Sequence, residues 1–147
     1  NVYDMENMGS LIRSAAAFGI RQVLVDSRSV DPFARRVLRV SMGAVFGMRF
    51  VKFDDPQRCL DRIGESGAIT LATTLNEGAE PIGRFSGSDT PMVLILGNEA
   101  DGIPERVQQA ADHRVTIEMK ANASPRDLVD SLNVSVAGAI CMHELTR

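Results

Sequence analysis

Near its start the chain carries two polar side chains whose spacing allows joint chemistry. Asn7-Met8-Gly9 is followed by Arg13, so an amide and a guanidinium lie close in sequence at the beginning of an apolar helical pattern. Both groups donate hydrogen bonds, and a guanidinium pairs well with phosphate oxygens. The structural alternative is that Asn7 only caps a helix and Arg13 is only a surface charge.

A second segment, Leu96-Gly97-Asn98-Glu99 with Gly102, directly follows an apolar run. Glycine lets backbone approach a ligand closely, and Glu99 adds a carboxylate at the end of a predicted strand. These features are typical of a ligand-binding loop after a strand. An ordinary turn is the structural alternative.

A third segment, Ser131-Leu132-Asn133-Val134-Ser135, places polar side chains at the start of a predicted helix. Exposed N–H groups and the positive end of the helix dipole gather there, and they bind oxygen-rich ligands. A plain helix cap is again the structural alternative.

Helical and strand patterns alternate along the chain, which predicts an α/β domain with a mostly parallel sheet. The predicted helices cover residues 8–18 (capped by Asn7), a stretch from residue 31, 55–63 and 131–145 (capped by Asp130 or Ser131). Strands are predicted at 22–25, 48–53, 68–72, 92–96 and, as a weaker edge strand, 115–117. The runs 68–72 and 92–96 are continuously apolar, as in strands buried on both faces. Ligands of such sheets bind beyond the carboxyl ends of the strands, so the loops there are the candidate site.

Size and charge limit the class of protein. The 147 residues, of which 44% are hydrophobic, predict one domain, and no apolar run reaches the ~20 residues that span a bilayer. The net charge is -3, but residues 1–63 carry +3 and residues 64–147 carry -6. We therefore expect a polyanion to meet the N-terminal half, at the cluster Arg28, Arg35, Arg36 and Arg39. A solvated helix face is the alternative.

Several common sites are excluded by spacing. Cys59, Cys141, His113 and His143 lack the spacing of metal ligands, so no zinc site is expected, and free thiols are typical of a reducing cytoplasm. No GxGxxG follows a predicted strand. Residues 78–83 have P-loop spacing but precede Arg84-Phe85 rather than Lys-Ser/Thr. Dinucleotide-binding and P-loop functions therefore lose their main support.

Taken together and in this order, the three segments resemble the three motifs of the SpoU (TrmH-like) RNA ribose 2′-O-methyltransferases of the SPOUT superfamily. The matching residues are Asn7-x-Gly9-x-x-x-Arg13, Leu96-Gly97-Asn98-Glu99-x-x-Gly102 and Ser131-Leu132-Asn133-Val134-Ser135-Val136-Ala137, with further similarity at 15–19 and 41–46. The resemblance covers nearly the whole chain. It implies a mostly parallel sheet flanked by helices, with a C-terminal trefoil knot.

The resemblance also implies an activity: transfer of a methyl group from S-adenosyl-L-methionine to a ribose 2′-hydroxyl of tRNA or rRNA, by a cytoplasmic homodimer without metal or membrane. The implied catalytic residues are Arg13, Asn7, Glu99, Ser131 and Asn133. The implied cofactor residues are Thr73, Leu75, Gly97, Ile117, Met119 and Leu132. The family's arginine is often described as a base. Because arginine stays protonated in proteins, we expect Arg13 instead to bind the target phosphate or stabilise the developing alkoxide.

Two departures from the family qualify this interpretation. Members begin with a full strand before the first motif, whereas only Asn1-Val2-Tyr3 precede it here. We therefore expect residues 1–147 to form one methyltransferase domain with a truncated first strand, and an RNA-binding domain can lie upstream. The segment Lys120–Asp130 is longer than usual. A catalytically inactive RNA-binding SPOUT-like module is the alternative function, and cofactor binding separates the two.

Overall fold

A computed structural model of the chain describes residues 2–98, 100–119 and 131–147. Five helices are described: α1 (Met5–Ala17), α2 (Arg35–Val40), α3 (Pro56–Glu65), α4 (Glu105–Ala110) and α5 (Val134–Leu145). The strands are β1 (Gln22–Asp26), β2 (Arg49–Phe53), β3 (Ile69–Thr73), β4 (Glu80–Pro81), β5 (Met92–Ile95) and β6 (His113–Thr116). Short 3-10 helices cover Ala44–Gly47 and Ile82–Phe85. None of the described helices is long and apolar enough to cross a membrane.

All strand pairs of the described chain are parallel, which confirms the predicted α/β class. β1 pairs with β2 in one sheet, and the second sheet has the order β4-β6-β3-β5. The prediction that residues 115–117 form an edge strand is wrong, because β6 lies between β3 and β4. The edge is β4, which has only two residues and therefore no apolar pattern that the sequence could reveal.

Three helices start at other residues than the sequence predicts. Asp4, not Asn7, caps α1, and its carboxylate accepts from the N–H groups of Glu6 and Asn7. α5 starts at Val134 and is capped by Asn133 rather than by Asp130 or Ser131. The second helix starts at Arg35 rather than at residue 31, because the chain around the fully buried Pro32 forms turns.

The core holds the first and last helices together. One cluster of buried side chains joins α1, α2 and β1, and includes Ile12, Val37 and Met142 of α5. Gly9 lies at the crossing of α1 and α2, where an added Cβ would be 2.6 Å from Cβ of Val40. The glycine of the first motif is therefore required for helix packing.

An apolar cleft of about 690 Å³ separates the two sheets. β1 lines one side of the cleft and β5 lines the other. The only described partner of β1 is β2 and that of β5 is β3, and both partner strands lie on the side that faces away from the cleft. The apolar run of β5 predicts a strand buried on both faces, but all four of its residues are only half-buried. That prediction is wrong in this structure because β5 is an edge strand.

Candidate functional site

The candidate site lies at the carboxyl edge of the larger sheet. β6, β3 and β5 are adjacent and parallel, so the loops that follow them meet along one edge. Five of the six predicted cofactor residues belong to these strand ends and loops: Thr73, Leu75, Gly97, Ile117 and Met119. Thr73 is fixed by its hydroxyl, which donates to the carbonyl of Ile95 at 3.1 Å. The topology thus brings together residues that lie far apart in sequence.

A hydrogen bond joins the first and third motifs. Nδ2 of Asn133 donates to Oδ1 of Asn7 at 3.0 Å. Asn7 lies in the first turn of α1 and Asn133 at the start of α5, and these two helices pack against each other. The interpretation of Asn7 as a helix cap is therefore wrong, and its side chain instead reaches the other motif.

Asn133 both caps α5 and contacts Asn7 of the first motif. Its Oδ1 accepts from the N–H of Ser135 at 2.9 Å and from the hydroxyl of Ser135 at 2.6 Å. Because these donors hold the amide oxygen at the helix start, the amide nitrogen points away from the helix, towards Asn7. The cap thus fixes the orientation of the amide in the site.

The loop after β5 is a tight turn. An added Cβ at Gly97 would lie 2.2 Å from the carbonyl carbon of Gly102, and Gly102 has a φ of +63°. The side chain of Asn98 accepts from the N–H groups of Ala100 and Asp101, each at 2.8 Å. The close approach that the glycines permit is thus between the two ends of the loop itself, and the turn interpretation is correct for this backbone.

Large apolar side chains are exposed around this edge. Leu75 is 62% exposed, Met119 42% and Val136, in the first turn of α5, 48%. Leu75 and Met119 follow the adjacent strands β3 and β6, so these two exposed apolar groups lie at the same edge, where they can contact a ligand. Val136 belongs to the third motif, but the sequence does not mark it as a site residue, because it is one apolar residue of an apolar helix.

A small cavity of about 270 Å³ adjoins Ile117. Ile82 and Gly83 of the second 3-10 helix line it, and so does Ile140 of α5. The sequence does not mark these residues as part of a site: Ile82 and Gly83 follow a strand of only two residues, and Ile140 is one apolar residue of an apolar helix. Leu132 is half-buried and Ser131 exposed just before α5 begins.

Arg13 does not join the two asparagines within this chain. It is exposed on α1 and has no hydrogen-bond or ion-pair partner among the described residues. On an α-helix, a residue six positions after another lies ~9 Å along the axis and about 240° around it. The guanidinium therefore projects from a different face of α1 than the amide of Asn7.

Two of the four predicted RNA-binding arginines are paired with carboxylates. Arg28 donates to both oxygens of Asp26, each at 3.1 Å, and Arg36 pairs with Glu6. Burial raises the pKa of Asp26, but the hydrogen bonds and charge of Arg28 outweigh it and hold that pKa below its ordinary value. Arg35 and Arg39 are exposed and have no partner among the described residues, which leaves their charges available.

Some expectations fall on residues that the structure does not describe. Glu99 and the segment 120–130 lie outside the described residues, and the predicted knot depends on the path of that segment. Within residues 2–98, 100–119 and 131–147, no group of three or more His, Cys, Asp or Glu side chains could hold a metal ion.

Comparison with known proteins identifies the family of the chain. The profile of the SpoU rRNA methylase family matches residues 1–143. An uncharacterized tRNA/rRNA methyltransferase of Mycobacterium bovis is 33% identical over 99% of this chain and 49% of its own length. An AdoMet-bound rRNA methyltransferase from Sinorhizobium meliloti superposes with a TM-score of 0.84 at 27% identity, over 99% of this chain and 52% of that one.

A solved structure described as an RNA 2′-O ribose methyltransferase superposes with a TM-score of 0.80 at 30% identity, over 99% of this chain and 52% of that one. The chain thus spans about half the length of these proteins. Both the profile match and the superpositions extend over nearly all of the chain. The chain belongs to the SpoU rRNA methylase family.

Proposed function

We propose that this chain is the catalytic domain of an S-adenosylmethionine-dependent methyltransferase that acts on a ribose 2′-hydroxyl of tRNA or rRNA in the cytoplasm. The observation that carries the proposal is the hydrogen bond between Asn7 and Asn133, which brings two motifs together beside the loops of three parallel strands. Family membership supports RNA methylation, and the ribose as target is supported by the relative described as a 2′-O ribose methyltransferase.

The residues at the carboxyl edge fit S-adenosylmethionine. The cofactor combines a flat base with a polar amino-acid part, and this edge combines the exposed side chains of Leu75 and Met119 with backbone groups at Gly97, Ile117 and Leu132. When bound, the cofactor supplies an electrophilic methyl group. We propose that these residues and Thr73 hold it.

The polar residues of the site orient and stabilise the RNA. Methyl transfer needs the acceptor hydroxyl held in line and its developing negative charge stabilised. We propose that Arg13 binds the target phosphate or the developing alkoxide, with Asn7, Glu99, Ser131 and Asn133 shaping the same site. Because a guanidinium stays protonated, the proton of the hydroxyl goes to another group.

The position of Arg13 favours a homodimer. Since this guanidinium projects from another face of α1 than Asn7, we propose that it completes the site of a second copy of the chain. Light scattering tests the dimer. Mixing Arg13→Ala chains with Asn133→Ala chains tests the sharing: partial recovery of activity is expected if the site is shared, and none if each chain supplies its whole site.

A direct test of the function measures two properties of the protein. Calorimetry with a chelator present should show binding of S-adenosylmethionine, and labelled methyl groups should appear on the 2′-oxygen of RNA. Binding without transfer to any RNA would favour a catalytically inactive RNA-binding module. Methyl groups found on bases would reject the ribose as target.

Arg35 and Arg39 are proposed to contact the RNA backbone, since their charges are available. Arg28 and Arg36 also lie at the surface, but their carboxylate partners reduce the positive potential there. Replacing both Arg35 and Arg39 by glutamate should weaken RNA binding and flatten its salt dependence, while cofactor affinity stays unchanged. Unchanged RNA affinity would remove these two residues from the interface.

We also propose that the cleft between β1 and β5 receives a further parallel strand from polypeptide that directly precedes Val2. The N–H of Val2 donates to the hydroxyl of Ser29, and its carbonyl accepts from the N–H of Val30, both at 3.0 Å. Val2 therefore lies just beyond the carboxyl end of β1. A strand ending there would run parallel to β1, and α1 would form the usual right-handed crossover between them.

Such a strand would join the two sheets and bury the half-exposed run of β5. A chain extended upstream with its natural residues should be more stable to urea than residues 1–147 alone, and the edge amides of Leu24 and Leu94 should exchange hydrogen more slowly. Equal exchange in the two chains would reject the strand. A further RNA-binding domain upstream stays a prediction from the resemblance.

A further inference from the structure

Residues 32–53 form a basic stretch in an acidic chain. They include Arg35, Arg36, Arg39, Arg49 and Lys52 but no aspartate or glutamate, although the whole chain has a net charge of -3. All five basic side chains are exposed. A polyanion should therefore be attracted to this stretch more strongly than to the rest of the surface.

Two large apolar side chains project from the middle of the basic stretch. Met42 is 74% exposed and Phe46 75%, more than any other large hydrophobic residue that the structure describes. The ring of Phe46 lies beside Gly43, since an added Cβ there would be 3.9 Å from Cδ2 of the ring. We refer to Met42 and Phe46 as the apolar platform.

The platform is held by buried neighbours. Ser41 and Val45 are both fully buried, and Val45 belongs to the same core cluster as Ile12 of α1. The N–H of Ala44 donates to the carbonyl of Ser41 at 3.0 Å, and the N–H of Phe46 to that of Gly43 at 3.1 Å. A partner can therefore bind the platform without first ordering a loose loop.

The backbone at Met42 is strained. Its φ is +53°, a region that residues with a Cβ rarely occupy, and it is the only non-glycine residue with a positive φ among those described. Such strain clusters at functional sites. Glycine would adopt this conformation at less cost but would not supply an apolar side chain, so the methionine side chain itself is implicated.

We propose that the apolar platform stacks on unpaired bases of the RNA while the surrounding arginines bind its phosphates. The proposal rests on the proposed function and narrows its substrate: the contacted nucleotides are single-stranded, in a loop or at an end. In an RNA duplex the face of each base is covered by its neighbours, so only unpaired bases expose a surface for an aromatic side chain.

The absence of tryptophan from the sequence allows a direct test. Phe46→Trp places the only indole of the chain on the platform, and a stacked base should quench its fluorescence. We expect single-stranded oligouridylate to quench it and a perfectly paired RNA duplex to have little effect. Gln57→Trp, on the exposed surface of α3 outside the basic stretch, is the matched control and should respond to neither.

Affinity measurements separate stacking from charge. Phe46→Ala should weaken binding of single-stranded RNA about 5- to 160-fold, the usual effect of losing one base–aromatic stack. Because no charge is removed, the slope of log affinity against log salt should stay the same. Phe46→Tyr should bind like the unaltered chain.

Each remaining outcome is decisive. If the unaltered chain binds single-stranded RNA but the indole at position 46 is not quenched, the platform proposal is rejected and the proposed function stands. If Phe46→Ala lowers the molar mass in light scattering and leaves RNA affinity unchanged, the platform is an interface between copies. If the unaltered chain binds no RNA, both proposals fail.

Discussion

The carboxyl edge of the larger sheet and the cleft between β1 and β5 differ in how closely their residues pack. Around the edge, backbone and helices approach so closely that neither Gly97 nor Gly138 has room for a Cβ. In the cleft, apolar side chains of two strands surround about 690 Å³ of space. The edge therefore has no room for a further side chain within the fold, whereas the cleft has room for another structural element.

The largest effect is expected at Gly97, where an added Cβ would lie 2.2 Å from the carbonyl carbon of Gly102. Backbone cannot rotate out of the way as a side chain can, so Gly97→Ala should open the loop. We expect loss of cofactor binding, measured by calorimetry, and destabilisation of about 3 kcal/mol, measured in urea. Gly64→Ala is the control: that helical glycine has nothing within 4 Å, and the change should stabilise by about 0.5–1 kcal/mol. Gly97→Ala with unaltered cofactor affinity would contradict the tight packing of this edge.

A smaller effect is expected at Gly138 of α5. A Cβ there would lie 2.4 Å from Cδ2 of Leu11 and 3.0 Å from Cδ1 of Leu96, both of which are ends of flexible side chains. Gly138→Ala should therefore cost about 1–2 kcal/mol in urea unfolding. In a double-mutant cycle with Leu11→Ala the two costs should not add, because the shortened Leu11 makes room for the new methyl group. Additive costs would show that the clash with Leu11 is not the cause.

The two roles of Asn133 can be separated by a pair of substitutions. Asn133→Ala removes the cap of α5 and should cost about 1 kcal/mol of stability as well as activity. Asn133→Asp keeps an oxygen for the helix N–H groups but loses the nitrogen that donates to Asn7. We expect near-normal unfolding in urea and strongly reduced methyl transfer to RNA. If the aspartate variant is fully active, the hydrogen bond to Asn7 is not needed for the reaction.

The smallest expected effect is a difference in the labelling rates of the two thiols, Cys59 and Cys141. Cys59 lines the cleft and is half-buried, whereas Cys141 is 1% exposed in the core. Burial raises the pKa of both thiols, that of Cys141 to about 11. At pH 8 a maleimide should modify Cys59 first, and faster as the pH rises and more thiolate forms, while Cys141 reacts only on unfolding. Mass spectrometry of Cys59→Ser should then show no rapid labelling. Equal rates for both thiols would mean that the core is as open as the cleft.

The sequence indicates which polar residues belong to the candidate site, but not how these residues contact one another. Asn7, Asn133 and Gly97 were singled out because together they match the motifs of a family, since each of them alone fits an ordinary cap or turn. The role of Asn7 was uncertain, because an asparagine near a helix start has the same local pattern whether it caps the helix or reaches another motif. Only the packing of α1 on α5 decides between them.

Other features were beyond sequence reasoning for identifiable reasons. Gly138 and Val136 lie in an apolar helix whose pattern does not show which face meets α1. β4 has two residues, so the central position of β6 could not be predicted. The pairing of Arg28 with Asp26 depends on side-chain conformations at the end of a strand, whereas clustered charge is all that the sequence displays.

The hydrogen bond between Asn7 and Asn133 spans 126 positions of the chain. At typical synthesis rates of about 5–20 residues per second, the ribosome needs about 6–25 s to make the segment between them. Throughout that time α1 can pack on α2 and β1, but its amide has no partner from the third motif. The proposed site is therefore incomplete in the nascent chain until α5 has left the ribosome and docks on α1.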